Sequence, residues 1–194
     1  MDSTFGQQSY YRQTHKSLSI TNGNIVNKEF EECIFSKINL TDCKFTRCKF
    51  ISCKFQDCLL SAIKPTDSLF ANIDFMDSKV IGFDWTLASN TYNLNFNNCQ
   101  LNYSNFRFLK LQKIKVLNCI AKEVDFTEAD LAESDFSGTD FEGSRFFKTN
   151  LTGVNFKTAK NYFIDIKTNT IKKAVFSYPE AMNLLGSLDI TVEY

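Results

Sequence analysis

An apolar residue returns at every fifth position along most of this chain. From Ile20 these positions read Ile20, Ile25, Phe30, Phe35, Leu40, Phe45, Phe50, Phe55, Leu60, Pro65, Phe70, Phe75, Val80 and Trp85, all large and apolar except Pro65. The phase slips by one residue between Thr86 and Asn95. It resumes as Phe96, Leu101, Phe106, Leu111, Val116, Ala121, Phe126, Leu131, Phe136, Phe141, Phe146, Leu151 and Phe156. With 43% hydrophobic residues overall, chance would put about 12 apolar residues at these 27 positions, where 26 are found. A period of five is neither the ~3.6 of an amphipathic helix nor the ~2 of a half-buried strand. Kept this long, it means a solenoid whose short units stack on one another. The Phe-rich register is its expected core.

A second register lies two residues earlier: Cys33, Ile38, Cys43, Cys48, Cys53 and Cys58, then Cys99, Ser104, Cys119, Val124, Ala129, Ser134, Thr139, Ser144, Thr149 and Val154. All 7 cysteines of the chain fall in it. The other three positions of each pentad are mostly polar. Each pentad thus points one large and one small side chain inward. Gly and Pro number only 7 and 2, too few for a protein turned by many tight hairpins, so the corners need another device.

The ends and the interruptions divide the chain. Residues 1–19 read as an N-terminal cap on a column spanning 20–160, and residues 161–194 as a tail. Met1 to Ser17 is polar and lacks the apolar stretch of a signal peptide. No apolar run approaches the ~20 residues of a membrane span. The chain is therefore read as cytoplasmic. Pro65 cannot donate to a backbone ladder, which predicts a local kink or small bulge. The phase slip at about 86–95 predicts a projecting loop. In the tail, Ser177 to Glu180 has capping-box spacing, Glu180 to Leu185 reads as a short α-helix, and Gly186 as its stop. Leu188, Ile190 and Val192 alternate as in a short strand. A helix this short cannot stand alone in water. Met182, Leu184, Leu185, Leu188 and Ile190 are accordingly expected to cover the last coil and to pair with a second copy in a homodimer.

No constellation points to catalysis. Cys43, Cys48, Cys53 and Cys58 could surround one axis as a zinc site, but metal sites favour C-x2-C pairs over a uniform step of five. Compact apolar packing beside Phe is the better reading, with the thiols reduced and metal-free. His15, the one histidine, has no partner motif and reads as a surface residue. There is no phosphate-cradling loop, G-x-S-x-G or H-E-x-x-H. The expectation is a non-enzyme with no cofactor and no metal. Lys+Arg and Asp+Glu are 22 each, so direct nucleic-acid binding by phosphate neutralisation is not expected.

The stretch from Val124 to Phe141, VDFTEADLAESDFSGTDF, resembles the A(D/N)LXX pattern of pentapeptide-repeat proteins. The resemblance covers roughly Ile20 to Phe156. It implies an all-β, right-handed quadrilateral β-helix with one pentad per face and about four pentads per coil. Such a coil stacks residue n on n+20. Opposite charges recur at that spacing, as in Lys110/Asp130, Lys113/Glu133, Lys115/Asp135, Lys122/Glu142, Asp125/Arg145, Glu128/Lys148 and Asp140/Lys160.

The long column and Leu-rich terminal segment resemble the quinolone-resistance (Qnr) and microcin-immunity group within that family. This implies a C-terminal homodimer that binds a gyrase-type topoisomerase and shields it from a drug or toxin as a DNA mimic. The candidate surface is the run Glu123, Asp125, Glu128, Asp130, Glu133, Asp135, Asp140 and Glu142, eight acids without a base. Basic stretches flank it at 107–122 and 145–173, so the acids form a ring around one coil and mimicry is partial. The alternative is a repeat scaffold with a different protein partner.

Overall fold

The computed structural model describes residues 5–188 and Ile190. The chain is a parallel β-solenoid of about 8 turns with one short helix at its C-terminal end. In each pentad the inner residue sits in extended backbone between two outward neighbours. Two positions later the backbone turns through the left-handed region, at 27 non-glycine residues from Arg12 to Lys173 and at Gly82, Gly138, Gly143 and Gly153. This is the turning device that the low glycine content demands. Several corners of the later coils also close by a hydrogen bond, as from Ser104 N–H to Leu101 C=O (3.1 Å) and Ala129 N–H to Phe126 C=O (3.1 Å). Positive φ at the third residue is what a type II turn requires.

Four corners return the chain over itself, so that Phe50 stacks on Phe30, Phe55 on Phe35, Leu40 on Ile20 and Phe45 on Ile25. Aromatic rings continue these columns: Phe35–Phe55 at 4.6 Å, Phe55–Phe75 at 5.0 Å, Phe75–Phe96 at 4.8 Å. All fourteen Phe of the register are buried, none more than 5% exposed. Each contributes roughly 1.5–3 kcal/mol by leaving water.

The second register does more than fill space. Cys48 Sγ donates to Ile25 C=O (3.2 Å), Ser78 Oγ to Phe55 C=O (3.4 Å) and Thr139 Oγ1 to Val116 C=O (2.7 Å). In return Cys48 N–H donates to Ser68 Oγ (3.0 Å), Cys58 N–H to Ser78 Oγ (3.0 Å) and Cys119 N–H to Thr139 Oγ1 (3.1 Å). Cys, Ser and Thr interchange here because each offers a donor and an acceptor on a short stem.

The structure corrects several expectations. Within the expected N-terminal cap, Ser9–Tyr11 pairs with Glu29–Glu31 and Thr14–Lys16 with Ile34–Ser36, so residues 9–16 already belong to the first coil. The phase slip is one residue, absorbed by a 3-10 turn at Trp85–Leu87 whose start is capped by Asp84. Leu69–Met76 then pairs with Asn90–Asn97 at n+21, and no loop projects. A corner accepts the extra residue because the strand pairing on each face is left intact. Pro65 is buried in register without a bulge. The column bonds around it, Phe45 N–H to Lys64 C=O (3.0 Å) and Trp85 N–H to Asn105 C=O (3.1 Å), are both made.

At the other end Val175–Phe176 pairs with Asn155–Phe156. The terminal helix is a 3-10 helix, Glu180–Leu188, that runs through Gly186 instead of stopping there. Leu188 belongs to it and not to a strand. Val192 lies outside the described residues. Ser177 Oγ accepts from Thr158 N–H (2.7 Å), so its side chain ties down the coil beneath and caps no helix. Leu184 packs on the core. Met182 and Leu185 are half-buried, while Leu188 and Ile190 are exposed.

Candidate functional site

The chemically reactive side chains are turned inward. All seven cysteines are buried, and none is in a disulfide. Cys43, Cys48, Cys53 and Cys58 sit on four successive faces, each donating to a carbonyl of the coil below. Burial pushes the Cys53 thiol up to about 12. Among the described residues no group of His, Cys, Asp and Glu could hold a metal ion. His15 is an inner residue, not a surface one. It stacks on Phe35 at 5.1 Å and meets Phe5, Tyr10 and Phe30 edge-on. Burial lowers its pKa.

The acidic run does encircle the column. Asp125, Asp130, Asp135 and Asp140 each precede the inner residue of a successive pentad, so one stands on each of the four faces. Each carboxylate accepts from the N–H two residues on: Thr127 (2.8 Å), Ala132 (3.2 Å), Ser137 (3.0 Å) and Glu142 (3.2 Å). Asp130 and Asp135 also accept from Asn150 (2.8 Å) and Asn155 (3.0 Å) of the coil above. The aspartates thereby cap the turns of their own faces. Of the expected n+20 charge pairs, Lys113–Glu133 (3.5 Å) and Lys122–Glu142 (2.6 Å) form ion pairs, and Arg107 reaches Asp125 at 3.7 Å. Lys110, Lys115, Arg145 and Lys160 stack on their acidic counterparts through backbone bridges instead. Among the described residues Glu123 and Glu128 make no ion pair, and they point their charge outward from two corners.

Sequence reasoning did not single out the most exposed aromatics of the mid-column. Tyr103 and Phe108 stand at corner positions and are 60% and 57% exposed. The pentad register carries the signal: both occupy the outward corner position that is otherwise almost wholly polar or small.

The pentapeptide-repeat family profile matches eight copies, over residues 29–61 and 121–160. No curated protein matches the sequence. Among solved structures, one trypsin-treated variant of QnrB1, a plasmid-mediated fluoroquinolone resistance protein, aligns with a TM-score of 0.68 and 19% identity, covering 96% of this chain and 99% of that one. A second trypsin-treated QnrB1 variant aligns with a TM-score of 0.69 and 19% identity, covering 93% and 100%. At such identity the likeness is one of fold. Repeats read in the sequence, standing as stacked faces of one parallel solenoid, give this chain the all-β pentapeptide-repeat fold.

Proposed function

We propose that this chain is a non-catalytic, cytoplasmic scaffold that binds a gyrase-type topoisomerase and protects it from a drug or toxin. The observation that carries this reading is the shared fold with QnrB1, a fluoroquinolone resistance protein, along nearly the full length of both chains. The acidic belt is the surface that would meet the enzyme's DNA-binding groove. Mimicry is confined to that belt: a duplex as long as this column, roughly 38 Å, carries about 22 negative charges, whereas the whole chain has a formal net charge of zero. The chain acts as a homodimer, with Leu188 and Ile190 of the exposed C-terminal segment in the contact.

A second reading, a scaffold for another protein, draws on the belt itself. Its aspartates hold turns, two of its glutamates pair with lysines, and its acids face all four ways rather than along one stripe. Charge reversal at Glu123 and Glu128 separates the two, because these acids neither cap a turn nor form an ion pair. Under the topoisomerase reading the wild-type chain restores gyrase supercoiling in the presence of a fluoroquinolone. The Glu123→Lys/Glu128→Lys variant does so less well and associates more slowly, with an unchanged melting temperature. No protection by the wild-type chain rejects the topoisomerase as partner.

A further inference from the structure

Each corner demands a left-handed residue, and the chain meets the demand mostly with Asn, Asp, Gly, Ser and flexible charged side chains. Asn, Asp and Gly enter that region most readily, and bulky residues enter it least. Tyr103 and Phe108, both at φ +62°, are the aromatic exceptions among the described residues. Burial does not offset the strain, since both rings stand largely in water. Asn98 and Asn118 show the unstrained choice at equivalent corners. Backbone strain kept without burial in return points to a group held for something outside the chain.

These two corners frame one face of the column. Between them lie Asn105 and Arg107, whose guanidinium sits 4.8 Å over the Phe108 ring. Leu87, exposed on the 3-10 turn of the coil beneath, extends the apolar part. The coil from Trp85 to Phe106 contains no charged residue and seven asparagines.

We propose that this face is the contact surface for a partner protein whose matching surface is uncharged with an apolar centre. The proposal rests on the reading of the chain as a protein-binding scaffold. Exposed aromatic rings beside an arginine are the residue types that concentrate binding energy at interfaces. Tyr and Asn together give adaptable hydrogen bonding at little entropic cost. The charges on this face are already engaged within the chain: Arg107 lies beside Asp125, and Asp84, stacked beneath Asn105, accepts from Thr86. A charged partner surface would therefore lose its hydration and meet no free counter-charge. Association at this face is therefore insensitive to salt, unlike association driven by the acidic belt.

The test places a photo-crosslinking residue at Tyr103 of the full chain, and separately at Gln56 and Glu133 on other sides, in cells that make the protein. A protein adduct forms from position 103 and not from the other two. That protein, identified and purified, binds the chain equally at about 50 and about 300 mM salt. A Tyr103→Asn/Phe108→Asn variant binds it at least about tenfold more weakly, yet melts no lower than the parent, because Asn relieves the corners. A purely structural role for the two rings would lower the melting temperature instead. No adduct at 103, a carbohydrate adduct, or full affinity in the double variant overturns the proposal. An adduct on a topoisomerase from position 133 alone keeps the topoisomerase reading and overturns this one. An adduct at 103 on a different protein removes the topoisomerase and leaves this surface standing.

Discussion

Phe141 shows what one inner residue contributes. It is fully buried and touches Phe136, Phe146 and Phe156. Phe141→Ala leaves a cavity that rigid neighbouring coils cannot fill, at a cost of about 3–5 kcal/mol. Chemical denaturation will read this as a large fall in the midpoint, and a loss below about 1 kcal/mol would mean that the coil repacks. His15 adds a pH dependence. Burial holds its folded pKa below the ordinary 6.5, so the unfolded chain takes up the proton first as pH falls. Stability is full above about pH 6.5 and declines as pH drops below it. His15→Phe removes this decline, so the gap in melting temperature between variant and parent widens from pH 7.5 to pH 5; a constant gap would exonerate His15. The Phe positions were legible because a large apolar residue has one place to go in this repeat. His15 was not, because a polar residue in the apolar register looks like the register's end rather than its first coil.

Among the elements, the inner ladder of Cys, Ser and Thr is the most open to test. Cys58 Sγ donates to Phe35 C=O at 3.3 Å. Cys58→Ser keeps a donor of similar size and should cost less than about 1 kcal/mol, whereas Cys58→Ala leaves the carbonyl short of a partner and should cost about 1–3 kcal/mol. Equal losses in the two variants, measured by urea unfolding, would reduce the ladder to mere packing. The same burial makes the thiols unreactive: a disulfide exchange reagent should titrate all seven only once the chain unfolds, and rapid labelling of the native protein would contradict that. Slim side chains at this register were plain in the sequence, but their hydrogen bonds depend on which coil lies above and below. The terminal helix was also legible as an element. Its 3-10 winding and its passage through Gly186 were not, since contacts between the helix and the core, such as that of Leu184, are not local to the segment's sequence.

For the whole molecule, each coil touches only the one below and the one above, so stability is a sum of local terms and the two ends are the weak points. Phe5 and Tyr10 close one end, and Leu184 with its helix covers the other. Removing residues 179–194 uncovers the last coil and takes away the proposed dimer contact. Light scattering on the truncated chain should show a monomer or an aggregate, and an intact, well-behaved dimer would place the contact elsewhere. The Trp85 corner, where one added residue passes without disturbing any face, also bears on descent. A lineage built this way can lose or gain a residue at a corner, or a whole coil of about 20, while every surviving inner contact keeps its kind of neighbour. Shape thereby tolerates wide change in sequence, and two chains alike at 19% of their residues can still be laid over one another along 96% of this one.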